Sequence, residues 1–217
     1  MKAENEELVD EDVKPHTRGC LRTFKEVRSF LKADLYRYAG EVSVKQFWKH
    51  FIFTPGYQYT VWMRYCGYLK VQNKLFKPWY AIVKLLLLRC RYKYGFAIPE
   101  YIVIGPGLFL NRFGGVYIGG DAVIGSNVNI THGTVFGYTN RGDRKGCPVI
   151  GDNTFFGSGA KVIGKVRIGN GAVVGVNAVV TKDVEENGVA VGIPAKVVSH
   201  AGSVGYVNRK VKIPLEF

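Results

Sequence analysis

From Ile104 to Val180 large apolar residues recur at every sixth position: Ile104, Leu110, Ile118, Ile124, Ile130, Phe136, Ile150, Phe156, Val162, Ile168, Val174 and Val180. Two intervals are longer, 110 to 118 and 136 to 150, and eight of the twelve residues are followed by glycine. Small or β-branched residues such as Ala122, Val128, Thr134, Ala160 and Ala172 stand four places after many of them. A period of six fits neither the 3.6-residue turn of a helix nor the alternation of an ordinary sheet. It predicts a parallel β-helix, in which each hexad supplies a short strand and a turn and three hexads close one triangular coil. The large residue fills the interior and glycine permits the tight corner. One coil cannot bury its own core, so several must stack, and twelve hexads give about four coils.

The period fails before Gly95. Residues 18–95 are rich in aromatic and basic side chains, with apolar residues three and four apart and breaks at Gly40, Pro55-Gly56 and Pro78. Three or four helices are expected there, packed on the first coil and covering its open edge. The apolar run from Trp79 to Cys90 is too short to span a bilayer and is interrupted by Lys84. Burial is the expectation for it, with attachment to a membrane surface as the alternative, since Lys77, Arg89, Arg91 and Lys93 lie around it. Residues 1–17 hold six acidic residues against two lysines and read as an acidic mobile tail. With an overall net charge of +13, that leaves +17 on the rest of the chain, a balance suited to an anionic partner. Nucleic acid is not expected, because no recognised binding motif accompanies the charge. Four scattered cysteines without a CxxC pair, and a charged start unlike a secretory leader, point to the cytoplasm.

The hexad register works as a ruler. Every third hexad lies on the same face one coil further up, so Leu110, Ile130, Phe156 and Val174 should form one interior column. Two places after each stand Arg112, His132, Ser158 and Val176, an external column with neighbours about 4.8 Å apart. His132 is the one histidine inside the repeat region. Its imidazole is suited to take a proton from a hydroxyl that attacks a thioester. The smaller residues above it leave a groove for a long thin substrate. The interval from 137 to 149 is an excursion that carries Arg141, Arg144 and Lys145, placed to act as a flap over that groove.

The strings "YGFAIPEYIVIGPGLFLNRFGG", "NITHGTVFG", "RGDRKGCPVIGDN", "GSGAKVIGKVRIGNGAVVG", "VVTKDV" and "GIPAKVV" resemble the hexapeptide-repeat acetyltransferases. Within that family they resemble the serine acetyltransferase and capsular-polysaccharide O-acetyltransferase branch, and the tail string "GSVGYVN" is closer to the polysaccharide enzymes. The resemblance implies a mainly β chain, a left-handed parallel β-helix over residues 96–200 with an N-terminal α-helical region and a tail at 201–217. It also implies a homotrimer that uses acetyl-CoA and no metal. Carried over motif by motif, Ser158 and Val176 line the pantetheine path, Thr181 and Lys182 lie near the nucleotide end, and Pro194 and Lys196 border the adenine. Serine acetyltransferases have an aspartate and a histidine where this chain has Ala97 and Arg112, and their Asp-His string is here Asn111-Arg112.

These readings combine into an expected O-acetyltransferase acting on a sugar hydroxyl of a surface polysaccharide. His132 is the expected general base and Arg112 the orienting or charge-stabilising group, with Asn111, Arg141 and Arg144 toward the acceptor. Serine O-acetylation, and a non-catalytic binding solenoid, are the alternatives.

Overall fold

The computed structural model describes residues 15–212, so most of the acidic segment lies outside the described residues. Four helices precede the solenoid: α1 Phe24–Ala39, α2 Val44–Phe53, α3 Pro55–Lys70 and α4 Lys77–Tyr94. Their limits follow from local chemistry. The Thr23 hydroxyl accepts from the Glu26 amide and the Glu26 carboxylate accepts from the Thr23 amide, a reciprocal cap that starts α1. Ser43 caps α2, proline opens α3 and stands in the first turn of α4, and left-handed glycines at 40 and 95 stop α1 and α4. Val27, Leu31, Leu35, Tyr57 and Val61 form a helical core separate from the solenoid's.

The fifteen strands then wind into a left-handed parallel β-helix of about five coils. One face stacks β1 (Phe96–Ala97), β4 (Val116–Ile118), β7 (Val135–Gly137), β10 (Lys161–Ile163) and β13 (Val179–Val180). The second stacks β2 (Val103–Ile104), β5 (Val123–Ile124), β8 (Val149–Ile150) and β11 (Arg167–Ile168). The third stacks β3 (Phe109–Asn111), β6 (Asn129–Thr131), β9 (Phe155–Phe156), β12 (Val173–Val174), β14 (Val189–Gly192) and β15 (Ala195–Ser199). Leu110 pairs with Ile130, Ile130 with Phe156, and Phe156 with Val174, and all four are buried. The interior column is therefore as the period requires, and Ala190 extends it upward. The expected four coils are one too few because the register extends at both ends, to the buried Ile98 six residues before Ile104 and to Val184 and Ala190 beyond Val180.

The first coil leaves three edge strands with unpaired backbone groups, and one helical side chain serves each face. The Tyr38 hydroxyl accepts from the Leu110 amide at 2.9 Å and donates to its carbonyl at 3.2 Å. Tyr59 does the same for Ile98, at 3.1 and 2.7 Å. Arg64 donates to the carbonyls of Ile104 and Gly105 at 2.8 and 2.7 Å. Arg64 is paired in turn with the buried Asp34, whose other oxygen accepts from the amides of Gly107 and Leu108. A hydrogen-bonded ion pair thus fastens α1 and α3 to the solenoid.

The expected burial of the 79–90 run is only half met. Leu87 and Cys90 are buried, whereas Trp79, Ile82 and Leu85 form an exposed stripe that continues through Arg89 and Tyr92. An apolar run whose face is set by tertiary contacts does not reveal that face by composition. No helix among the described residues is long and apolar enough to cross a membrane.

Candidate functional site

Beyond β6 and β9 the coil turns through left-handed residues. Gly133 and Gly159 have φ near +72°, and a Cβ on Gly133 would come within 3.2 Å of Gly159, so neighbouring corners stack without side chains. The residue before each corner therefore stands in the open. The His132 carbonyl accepts from the Gly159 amide and the Ser158 carbonyl from the Asn177 amide, both at 2.9 Å, which fixes His132, Ser158 and Val176 one above another. His132 and Val176 are exposed, the latter by 67%, and Ser158 is half-buried. The Ser158 hydroxyl lies 3.4 Å from His132 Nδ1. That contact turns the ring so that Nε2 is the nitrogen left for another molecule.

Arg112 does not stack in this column as the forward count suggests. The long interval between Leu110 and Ile118 puts two additional residues, Arg112 and Phe113, into the corner. The backbone group opposite His132 is Gly114, whose carbonyl accepts from the Gly133 amide at 2.9 Å. Arg112 has φ +65° and, among the described residues, no hydrogen bond or ion pair. It projects from a bulge at the foot of the column, next to the exposed Asn111 that ends β3. Ala97 lies on another face, paired with Tyr117.

The excursion is not a flap over His132. It leaves β7 at a different corner of the triangle, closes on itself through a Thr139–Gly146 bridge, and packs upward, with the Arg144 carbonyl accepting from the Lys165 amide at 2.8 Å. Arg144 also donates to Asp183 at 2.7 Å, beside Thr181 and Lys182. Asp183 is exposed; the slight desolvation it suffers would raise its carboxyl, yet the Arg167 amide and the Arg144 guanidinium hold it below its ordinary range. Arg141, Thr181 and Lys182 are exposed at this second corner. The Pro194 turn sits at the top of the first column, because β14 continues the β12 register, and Lys196 lies on the exposed side of β15. The candidate residues thus divide into a His132–Ser158–Val176–Pro194 corner and an Arg144–Lys182 corner. Sequence reasoning missed Asp183 as the anchor of the excursion, although an acid in a loop opposite a basic insertion was available as a signal.

A pattern described as bacterial transferase hexapeptide (six repeats) matches residues 147–182. A serine acetyltransferase of Helicobacter pylori is 36% identical over 123 residues, which is 57% of this chain and 72% of that protein. One from Mycobacterium tuberculosis is 39% identical over 49% of this chain and 47% of its own length, so the chain spans about half of that relative. Among solved structures, serine acetyltransferase from Brucella abortus superimposes with a TM-score of 0.69 at 27% identity, covering 82% of this chain and 71% of that one. Soybean serine acetyltransferase complexed with serine gives a TM-score of 0.62 at 31% identity, covering 85% and 70%. These matches overturn the expectation of a polysaccharide acceptor, which rested on one short tail string, since the relatives in hand are serine acetyltransferases. With its period, its coil geometry and these relatives in agreement, the chain belongs to the hexapeptide-repeat acetyltransferase family.

Proposed function

We propose that the protein is an acetyl-CoA-dependent O-acetyltransferase whose acceptor is serine or a close hydroxyl amino acid. The observation that carries this reading is the exposed His132–Ser158–Val176 column, one imidazole at the foot of a narrow external track. In this scheme His132 Nε2 takes the acceptor hydroxyl proton as that oxygen attacks the thioester carbonyl. The carbon–sulfur bond breaks and the CoA thiolate leaves. Arg112, unpaired at the base of the column, holds the acceptor carboxylate, with Asn111 beside it; a guanidinium cannot be the base near neutral pH. Pantetheine runs past Ser158 and Val176 toward Pro194 and Lys196.

A homotrimer completes the arrangement. Within one chain Arg141, Arg144, Thr181 and Lys182 stand on a different corner from His132, so a groove between neighbouring solenoids is the way for both corners to serve one cofactor. The four free, buried thiols suit the reducing cytoplasm.

The acceptor is tested by following CoA thiol release with L-serine, L-homoserine, L-threonine or no acceptor; acetyl-CoA binding without release dependent on any of them leaves the non-catalytic alternative. The track is tested by Val176→Trp. Because Val176 is external, acetyl-CoA affinity by calorimetry should fall tenfold or more while the melting temperature holds. Unchanged affinity places the cofactor elsewhere.

The exposed α4 stripe supports a further part of the proposal, weak attachment to an anionic bilayer. Between Val42 and Pro99 there are ten lysines and arginines and no carboxylate; Glu100 pairs with Lys70 and Lys84, and Lys77, Arg89, Arg91 and Lys93 remain as the cations of the helix that carries Trp79, Ile82 and Leu85. The protein should float with vesicles of three parts phosphatidylcholine to one part phosphatidylglycerol and not with phosphatidylcholine alone. Replacing Trp79, Ile82 and Leu85 together by serine should release it. Equal behaviour on both vesicles, or self-association through the stripe in light scattering, removes the attachment.

A further inference from the structure

The last turn of α1 buries a cation that the chain does not satisfy. Arg37 is 4% exposed, and its guanidinium lies 5.9 Å from the centre of the Phe109 ring. Nη2 donates to Asn129 Oδ1, but Nε and Nη1 are buried without any acceptor. Leaving buried donors unsatisfied is costly, and more so when they carry charge. The nearby Asp34 does not help, since its oxygens accept from Arg64, Gly107 and Leu108. Burial draws Arg37 down to about 10, which still leaves it cationic at neutral pH.

Arg37 lines a pocket of about 250 Å³ between α1, the outer face of β3 and β6, and the C-terminal tail. The tail supplies a second guanidinium, Arg209, whose Nη1 donates to the Tyr38 carbonyl, together with Asn208 and Tyr206. No carboxylate lines the pocket. Asn129 is engaged on both sides, accepting from Arg37 and donating to the Tyr206 carbonyl at 2.9 Å, so it closes the wall, and the two arginines are the cations of the lining. Phe109 and Tyr206 make the rest of the lining apolar.

We propose that this pocket binds a small molecule through an oxyanion, a carboxylate or phosphate group held between Arg37 and Arg209. Two cations lining one pocket that holds no carboxylate call for an anionic ligand with several acceptor oxygens. The volume admits inorganic phosphate or an acid of a few carbons, and lies below the roughly 300–1,000 Å³ usual for larger ligands. The site is distinct from the His132 column. Asn129 precedes His132 by three residues of the same strand path, about 10 Å, and faces the tail.

The full-length protein is titrated with sodium phosphate, sodium succinate or sodium chloride at matched ionic strength, reading heat of binding and melting temperature. Phosphate or succinate should bind saturably and raise the melting temperature with concentration, as a ligand of the native state alone does; chloride should not. The arm that saturates at lower concentration identifies phosphate or carboxylate as the natural group. Arg209→Gln, on the surface, should weaken binding tenfold or more, and Arg37→Met should abolish it. Val176→Trp should leave oxyanion binding intact. Equal effects of chloride, unchanged binding in Arg209→Gln, or loss of binding in Val176→Trp would each overturn the proposal, the last by assigning the anion to the cofactor track.

Discussion

His132→Ala is expected to lower turnover about 10²–10⁴-fold while leaving acetyl-CoA affinity nearly intact, the usual cost of removing a general base. The side chain is exposed and no core contact depends on it, so the melting temperature should not move. Affinity should hold because the proposed pantetheine track is formed by the residues above it. Ser158→Ala, which removes the hydroxyl 3.4 Å from Nδ1, should cost less, since it frees the ring without removing the base. Turnover of His132→Ala within about threefold of the parent would exclude the assignment, being far below the expected loss.

Asp34→Ala should destabilise the protein by about 3–5 kcal/mol, the range found when one partner of a buried ion pair is removed. Both oxygens of Asp34 accept only from donors, which marks it as the ionised partner, and its removal strands Arg64 at 4% side-chain exposure together with two amides of the first coil. The loss is read as a lower midpoint in urea denaturation. Asp34→Ala with Arg64→Met should recover part of it by removing the uncompensated charge. A single variant within 1 kcal/mol of the parent would mean that the ion pair does not fasten the helices to the solenoid, being below the roughly 3–5 kcal/mol expected.

A solenoid is nearly one-dimensional, which is why so much of it could be read from spacing. Counting three hexads was enough to stack Leu110 on Ile130, Phe156 and Val174, and to set His132 beside Ser158. The ruler failed where the count is ambiguous. Counting forward from Leu110 sets Arg112 against His132; counting back from Ile118 sets Gly114 there, and the backbone hydrogen bond follows the second. The excursion was legible as an insertion but not in its direction, which depends on an ion pair 39 residues away in sequence, Arg144 with Asp183. The residues that join helices to solenoid, Tyr38, Tyr59, Arg64 and Asp34, were missed altogether. In the sequence they are ordinary members of helical stretches, and only the tertiary fold brings them to the edge of the first coil. Arg37 was hidden for the same reason, its pocket being walled by a tail that returns from the far end of the solenoid, where Val211 and Asn127 exchange backbone-to-amide hydrogen bonds.

The stack of parallel strands has two ends, and they are finished differently. At the start, two tyrosines and an arginine occupy the peptide groups that another strand would need. At the finish, β15 turns back antiparallel on β14, so the outermost strand on that face runs against the grain of the coils below it. A second molecule therefore meets no parallel template at either of these positions. On those faces the repeat that lets coils add to one another within a chain is thereby hindered from adding chain to chain, which works against growth into a fibre.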